Sequence, residues 1–441
     1  MLRFGRLLFA VLSVWLSLSL AAASWPGVWG TLLKQNGLTH LLKGNEERLK
    51  EFLGIDRCLY VPNPAQAVRD ELTRNIRAQD HAINATVHAI RSWELSRNSK
   101  SATPLVLALA GPIGTGKTET SNLIAEALFP RKTVLGWRRQ SQGLLLFQGE
   151  DFADTEHQPL AAYHQRIKSE LAAHLKKCSG RAVVVFDEVQ KIIPGTLDVL
   201  LEAMGDRPVL TYAAKDGVQV KHDCSQVIFV LVSDIGVESM LQVMGGSRAR
   251  SEVDQSKLRV AVKTSLDAQW QRLQFGKAIN EVVAFLPFEP ADIEEIVQLK
   301  FEQLAKEHRG KYWRDLVGSD GLFRHFASDE DLYHKIATMG ADGRKSQRTL
   351  ARYGARNVVN GGPLQRLKAK LMRAIDLSPD ESGVYSVRKC SGCRRHAALN
   401  GSCALPLHCT LTAHTAPISC PQRIRAHSSM WSSTRRPPRW S

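Results

Sequence analysis

Apolar residues gather into four uncharged runs of strand length, at 105–110, 144–147, 182–186 and 227–232. Helical periodicity fills the intervals, most clearly over 118–129 and 160–177. Strands alternating with helices predict a parallel sheet covered by helices on both faces. A fifth core strand is expected at 281–285, and runs at 209–212 and 218–220 flank the turn dipeptide Asp216-Gly217 as in a hairpin. Ahead of the sheet, Ile76, Ile83, Val87 and Ile90 mark a long helical pattern over 71–93, and 96–104 reads as a polar linker. Beyond Pro290, Asp292 precedes a stripe of Ile293, Ile296, Val297, Phe301 and Leu304, with further helices expected at 330–339 and 363–375. The predicted architecture is an α/β domain over 64–290, a parallel five-stranded sheet between helices. A small all-helical lid over 291–381 follows it. A lead-in segment occupies 24–63, and from residue 382 no periodicity survives, so the tail is expected to be disordered.

The first 23 residues read differently. Arg3 and Arg6 precede an uncharged apolar run from Leu7, which ends at Ala21-Ala22-Ala23. That is the pattern of a secretory signal peptide, and the run is short of the ~20 residues that span a bilayer comfortably. An uncleaved signal anchor is the rival reading. The expected location is a secretory compartment. The sequons at Asn84 and Asn400 agree with it.

The net charge of +16 suggests nucleic acid until it is located. Residues 1–45 hold four basic residues and no acid, and 382–441 hold nine and no acid. The body between them is nearly balanced, which argues against a nucleic-acid-binding core. Cys58, Cys178 and Cys224 are too few for a disulfide framework. The tail's Cys390, Cys393, His396, Cys403, His408 and Cys409 fit no standard zinc spacing, and the tail is given no function.

The chemistry lies at the strand ends. Gly111-Pro112-Ile113-Gly114-Thr115-Gly116-Lys117-Thr118 matches G-x-x-x-x-G-K-[ST] between a strand and a helix. In such a loop, backbone N–H groups surround phosphates and the helix N-terminus adds its dipole. Lys117 is expected on the β- and γ-phosphates of ATP, and Thr118 on Mg2+. The 182–186 strand ends in Asp187-Glu188. Asp187 would hold the metal, and Glu188 would orient or deprotonate the attacking water. The 227–232 strand ends in Ser233-Asp234, beside the γ-phosphate.

These motifs, in this order, resemble AAA+ ATPases, and among them the Clp-type chaperones and torsins, over roughly residues 76–371. Ile76-Arg77-Ala78-Gln79-Asp80 is similar to the Clp-type segment that packs on adenine, which implies that Ile76 contacts the base. Asp234 stands where the family has the sensor 1 Asn, and a carboxylate there implies slower hydrolysis. Gly354-Ala355-Arg356 matches the Clp-type sensor 2, which makes Arg356 the candidate γ-phosphate contact from the lid. Ala162-Tyr163, Asp216-Gly217-Val218 and Phe285-Leu286-Pro287-Phe288 are similar to torsin segments. Thr118 and Arg356 depart from the torsin pattern, as does Ala355, so redox control at sensor 2 is not implied. The arginine-finger position falls on Ala278, with Lys277 and Arg272 as neighbours. The resemblance therefore implies a ring of like or unlike subunits, in which a partner or membrane-anchored activator supplies the arginine. The expected function is a lumenal ATPase of the endoplasmic reticulum and nuclear envelope that remodels protein or membrane-associated complexes. The alternatives are a Clp-like unfoldase acting on protein clients, and a nucleotide-dependent scaffold with little hydrolysis.

Overall fold

The structure is a computed structural model. It describes residues 58–389 except 100, 130–142, 155–157, 214–217, 248, 270–274, 340–344, 361 and 378–383, together with 409–413 and 416–417. The signal-peptide run, most of the lead-in, Arg272, the Asp216-Gly217 turn, Asn400 and most of the tail lie outside the described residues.

Helices α1 (Pro64–Asn75) and α2 (Asp80–Ser96) precede β1 (Leu105–Ala110) and α3 (Lys117–Leu128). Then come β2 (Leu144–Gln148), α4 (Leu160–Lys177) and β3 (Ala182–Asp187). An antiparallel hairpin, β4 (Val209–Ala213) with β5 (Gln219–Asp223), leads to β6 (Val227–Ser233). Helices α5 (Val237–Gly245) and α6 (Gln255–Gln269) and strand β7 (Glu281–Ala284) complete the first unit. The five core strands pair in parallel in the order β2-β3-β6-β1-β7.

Side-chain alternation divides the interior into two cores. Leu105, Leu107 and Leu109 point with Val183, Val185, Ile228 and Val230 toward α1, α2 and α3. Val106, Ala108 and Ala110 point with Val184, Phe186 and Phe229 toward α4 and α6. Strands buried on both faces explain why β1, β3 and β6 are continuous apolar runs rather than alternating ones. The ends of β1, β6 and β3 are neighbours at the carboxyl edge of the sheet, where ligands of open α/β sheets bind.

The second unit has its own core, from Phe288 to Val387. It contains α7 (Pro290–Glu307), α8 (Asp320–Ala327) and α9 (Pro363–Leu377). The all-helical expectation fails here. Residues expected as a helix over 330–339 form β9 (Tyr333–Met339), paired antiparallel with β10 (Lys345–Ala351). Leu332, Ile336 and Met339 satisfy a helical spacing, but the seven-residue ladder to β10 satisfies the backbone along the whole segment. Strand β8 (Asp315–Gly318) also pairs in parallel with β11 (Val384–Lys389), so the expected disorder does not begin at residue 382. Tyr385 and Val387 are buried in the lid core, and Cys409–Ala413 adds an antiparallel strand beside β11.

One further correction and one new finding concern the N-terminal side. The pattern over 71–93 is two helices, broken where Ala78 adopts φ +56°. Cys58 and Cys178 form a disulfide across 120 residues, leaving Cys224 as a buried free thiol. The bond ties the chain ahead of α1 to the end of α4. Among the described residues no helix is long and apolar enough to cross a membrane.

Candidate functional site

One cavity of about 300 Å3 lies at the carboxyl edge of the sheet, under the lid. The loop after β1 contributes Ile113 to Thr118. Glu188 enters from the end of β3, Ser233 and Asp234 from β6, Ile76 from the break between α1 and α2, and Arg356 from the lid. The cavity thus brings together residues that the sequence scatters over 280 positions, from Ile76 to Arg356. Gly111, Pro112 and Asp187 stand just behind its wall and bond to groups that line it.

Lys117 is folded onto its own loop, donating to the carbonyls of Gly111 (2.6 Å) and Pro112 (2.8 Å). Burial pushes its ammonium pKa down to about 8. The carboxylates of Asp234, Glu188 and Asp187 act against that, and Arg356 reinforces it. A desolvated cation facing a cavity, held only by carbonyls, is ready to exchange them for an anion. Asp234 is the carboxylate Lys117 feels most.

Thr118 donates its hydroxyl to Asp187, at 3.1 and 3.2 Å to the two carboxylate oxygens. Burial raises the Asp187 pKa, with the neighbouring Glu188 charge adding to the rise. A hydroxyl and a buried carboxylate facing one another form the hard-oxygen pair that holds Mg2+, which takes its other ligands from water and phosphate. The residues present therefore fit that ion. Among the described residues no cluster of three or more His, Cys, Asp or Glu competes as a metal site.

Glu188 has φ +56°, an uncommon conformation for a residue with a side chain and one that concentrates at active sites. Its carboxylate accepts a bond from Gln190 Nε2 at 2.5 Å, and Lys191 stands 3.7 Å away. Ser233 turns its hydroxyl back to accept from the Ile235 amide at 2.8 Å, and Asp234 follows it in the cavity lining.

The lid closes directly on the phosphate loop. The Ala355 amide donates to the Gly114 carbonyl at 2.9 Å. A Cβ on Gly114 would sit 2.1 Å from the Tyr353 carbonyl oxygen, and one on Gly354 would sit 2.4 Å from the Gly114 oxygen. Both residues have positive φ, +75° and +55°. Only glycine allows this backbone-to-backbone approach.

Several lining residues were not anticipated. Phe288, Ile296 and Leu299 add apolar lining from the joint and the lid to that of Ile76, and Asn75 and Lys300 line the cavity as well. The stripe on α7 was visible in the sequence, but periodicity cannot say which of its residues face a ligand. Of the finger candidates, Lys277 is exposed on a one-turn helix and Ala278 packs against the core.

A parallel sheet of this order, with a phosphate loop, an acidic strand end and a lid arginine around one cavity, defines a P-loop nucleotide-binding domain of the AAA+ type. The family model for torsins matches residues 51–186. The chaperone protein ClpB of Helicobacter hepaticus is 26% identical over 244 residues, covering 54% of this chain and 26% of ClpB. ClpB of Chlamydia pneumoniae is 23% identical over 259 residues, covering 57% of this chain and 28% of ClpB. The structure of the S. cerevisiae Hsp104-ADP complex superposes with a TM-score of 0.51 at 18% identity, covering 75% of this chain and 51% of that one. Over these residues the chain is similar to AAA+ ATPases of the Clp/torsin group. It spans about a quarter of the length of the curated relatives it matches.

Proposed function

We propose that the chain binds MgATP in this cavity and hydrolyses it when a neighbouring subunit or activator supplies an arginine, using the cycle to remodel protein or membrane-associated complexes in the lumen of the endoplasmic reticulum and nuclear envelope. The carrying observation is the shared cavity, with Lys117, Thr118, Glu188, Asp234 and Arg356 around one triphosphate-sized space. The loop amides and Lys117 would hold the phosphates. Ile76 and the Phe288, Ile296 and Leu299 wall offer an apolar slot for a base, and the Hsp104 neighbour was solved with ADP. Thr118 and Asp187 would hold Mg2+, which supplies charge neutralisation at the phosphates. Glu188 would take the proton of the attacking water, and Arg356 would meet the charge on the γ-phosphate. Ala278 at the finger position supports dependence on a partner, since a finger is worth about 10³ to 10⁵ in rate. The Cys58–Cys178 bond supports an oxidising compartment, in agreement with the N-terminal apolar run.

The Asp234 carboxylate beside Lys117 favours a second reading, a nucleotide-gated scaffold that turns over little. Equilibrium binding of MgADP and MgATP to the full chain tests the common part: wild type binds both and Lys117→Ala neither. Binding equal in the two proteins would remove the site. Trapping of a bound partner by Glu188→Gln in ATP separates the readings. Retention of a partner supports the remodelling ATPase, and behaviour like wild type supports the scaffold.

A further inference from the structure

A network of buried and part-buried polar groups spans the joint between the two units, next to the Phe288 ring that lines the cavity. Gln79, fully buried at the break between α1 and α2, donates to the carbonyls of Thr115 in the phosphate loop (3.3 Å) and of Leu286 (2.8 Å). Its oxygen accepts from the Leu286 amide (3.3 Å) and from Arg250 Nη2 (3.1 Å). Arg250 comes from the segment between α5 and α6. It also donates to the carbonyl of Ala78, the left-handed residue of the break. Its other nitrogen meets Asp292 in the first turn of α7 at 3.2 Å, and its guanidinium lies over the Phe288 ring at 5.8 Å. Asp292 in turn accepts from the Glu289 amide at 2.8 Å.

We propose that Arg250 is a positioning residue for the nucleotide site: by fastening Gln79, and through it the phosphate loop, to Asp292 at the head of the lid, it sets the angle at which the lid presents Arg356. The proposal rests on the nucleotide reading of the cavity. The geometry favours it over simple packing for two reasons. The guanidinium fork holds both sides of the joint, bonding to Ala78 and Gln79 on one side and to Asp292 on the other. One of its partners, Gln79, bonds to Thr115 in the phosphate loop that lines the cavity. Arg348 braces the same joint from the lid, pairing with Glu289 at 2.7 Å and donating to the Ser247 carbonyl, so Arg250 is the member of the pair that is linked, through Gln79, to the phosphate loop.

The test uses the full chain with MgADP and a non-hydrolysable β,γ-imido ATP analogue. Arg356 is read as meeting the γ-phosphate, so the two ligands separate lid alignment from general binding. Arg250→Met, which keeps the bulk over Phe288, is expected to hold MgADP within about threefold of wild type and to weaken the analogue by about tenfold. Arg356→Ala is expected to do the same. The double variant should lose little more than either single one, because the two changes act through one contact. Equal weakening of both ligands, or additive losses in the double variant, overturns the proposal. Arg250→Lys keeps a charge for Asp292 without the fork and should give an intermediate ratio; a wild-type ratio in this variant also overturns it. Failure of wild type to bind either ligand refutes the nucleotide reading itself, whatever the variants do.

Discussion

Raising the pH should weaken nucleotide binding through a single side chain. With no phosphate present, Lys117 is held at a pKa of about 8 because its ammonium is buried against carbonyls. A bound polyphosphate favours the charged form and raises that value. Below pH 8 the ammonium is charged in both states, so affinity is flat on this account. Above pH 8 the empty site loses its proton, and binding must restore it. Affinity then falls by up to tenfold per pH unit, or about fifteenfold between pH 8 and 9.5. The phosphates interfere little in that range, since their last proton leaves near pH ~6. Nor does the buried Cys224 thiol, which burial pushes up to about 12. Titration calorimetry with MgADP in buffers of different ionisation enthalpy would count the proton, with uptake rising toward one per site by pH 9.5. Lys117→Arg, charged throughout, should bind with a flat profile. A flat wild-type profile with no proton uptake would refute the assignment of Lys117 as the buried phosphate-binding cation.

Four other changes have defined outcomes. Gly354→Ala places a methyl group 2.4 Å from the Gly114 oxygen at φ +55°; it should lower thermal stability, at a cost of about 1–3 kcal/mol, and weaken nucleotide binding, both readable by a ligand-dependent melting curve. Glu188→Gln should leave MgATP affinity nearly intact while reducing partner-stimulated turnover by about 10² to 10⁴, measured as phosphate release. Asp234→Asn removes the carboxylate that Lys117 feels most; MgATP should bind about threefold or more tighter, as judged by the electrostatic cost of like charges near ~1 kcal/mol per contact. Reduction of the Cys58–Cys178 bond, or Cys58→Ser, frees a chain closed over 120 residues and should cost about 3–5 kcal/mol in denaturant unfolding; equal unfolding midpoints with and without reductant would show that the bond contributes nothing.

How much of this could be read in the sequence follows from the range of the interactions involved. The three central strands were legible because burial on both faces makes each a continuous apolar run, and 105–110, 182–186 and 227–232 need nothing distant to be recognised. The phosphate loop and Asp187-Glu188 were legible because their spacing encodes local geometry. The lid hairpin was not, since Tyr333–Met339 has a helix-compatible spacing and becomes a strand only through its ladder to Lys345–Ala351. Gln79 and Arg250 lie 171 residues apart, and Cys58 and Cys178 120 apart; nothing in the intervening pattern announces either meeting. The break at Ala78 was hidden for the same reason. The helical period continues through it, and the distant Thr115, Leu286 and Arg250 are the groups that Gln79 and the Ala78 carbonyl meet there.

The bond from the Ala355 amide to the Gly114 carbonyl joins two stretches of main chain and uses no side chain. Substitution elsewhere in the lid can strengthen, weaken or redirect the contacts made by arginines and carboxylates, residue by residue. This one offers no such gradation: a change at either glycine removes the room it needs, and no replacement improves it. Divergent copies of the chain should therefore keep or abandon Gly114 and Gly354 as a pair, and a copy that has lost only one should have an ajar lid.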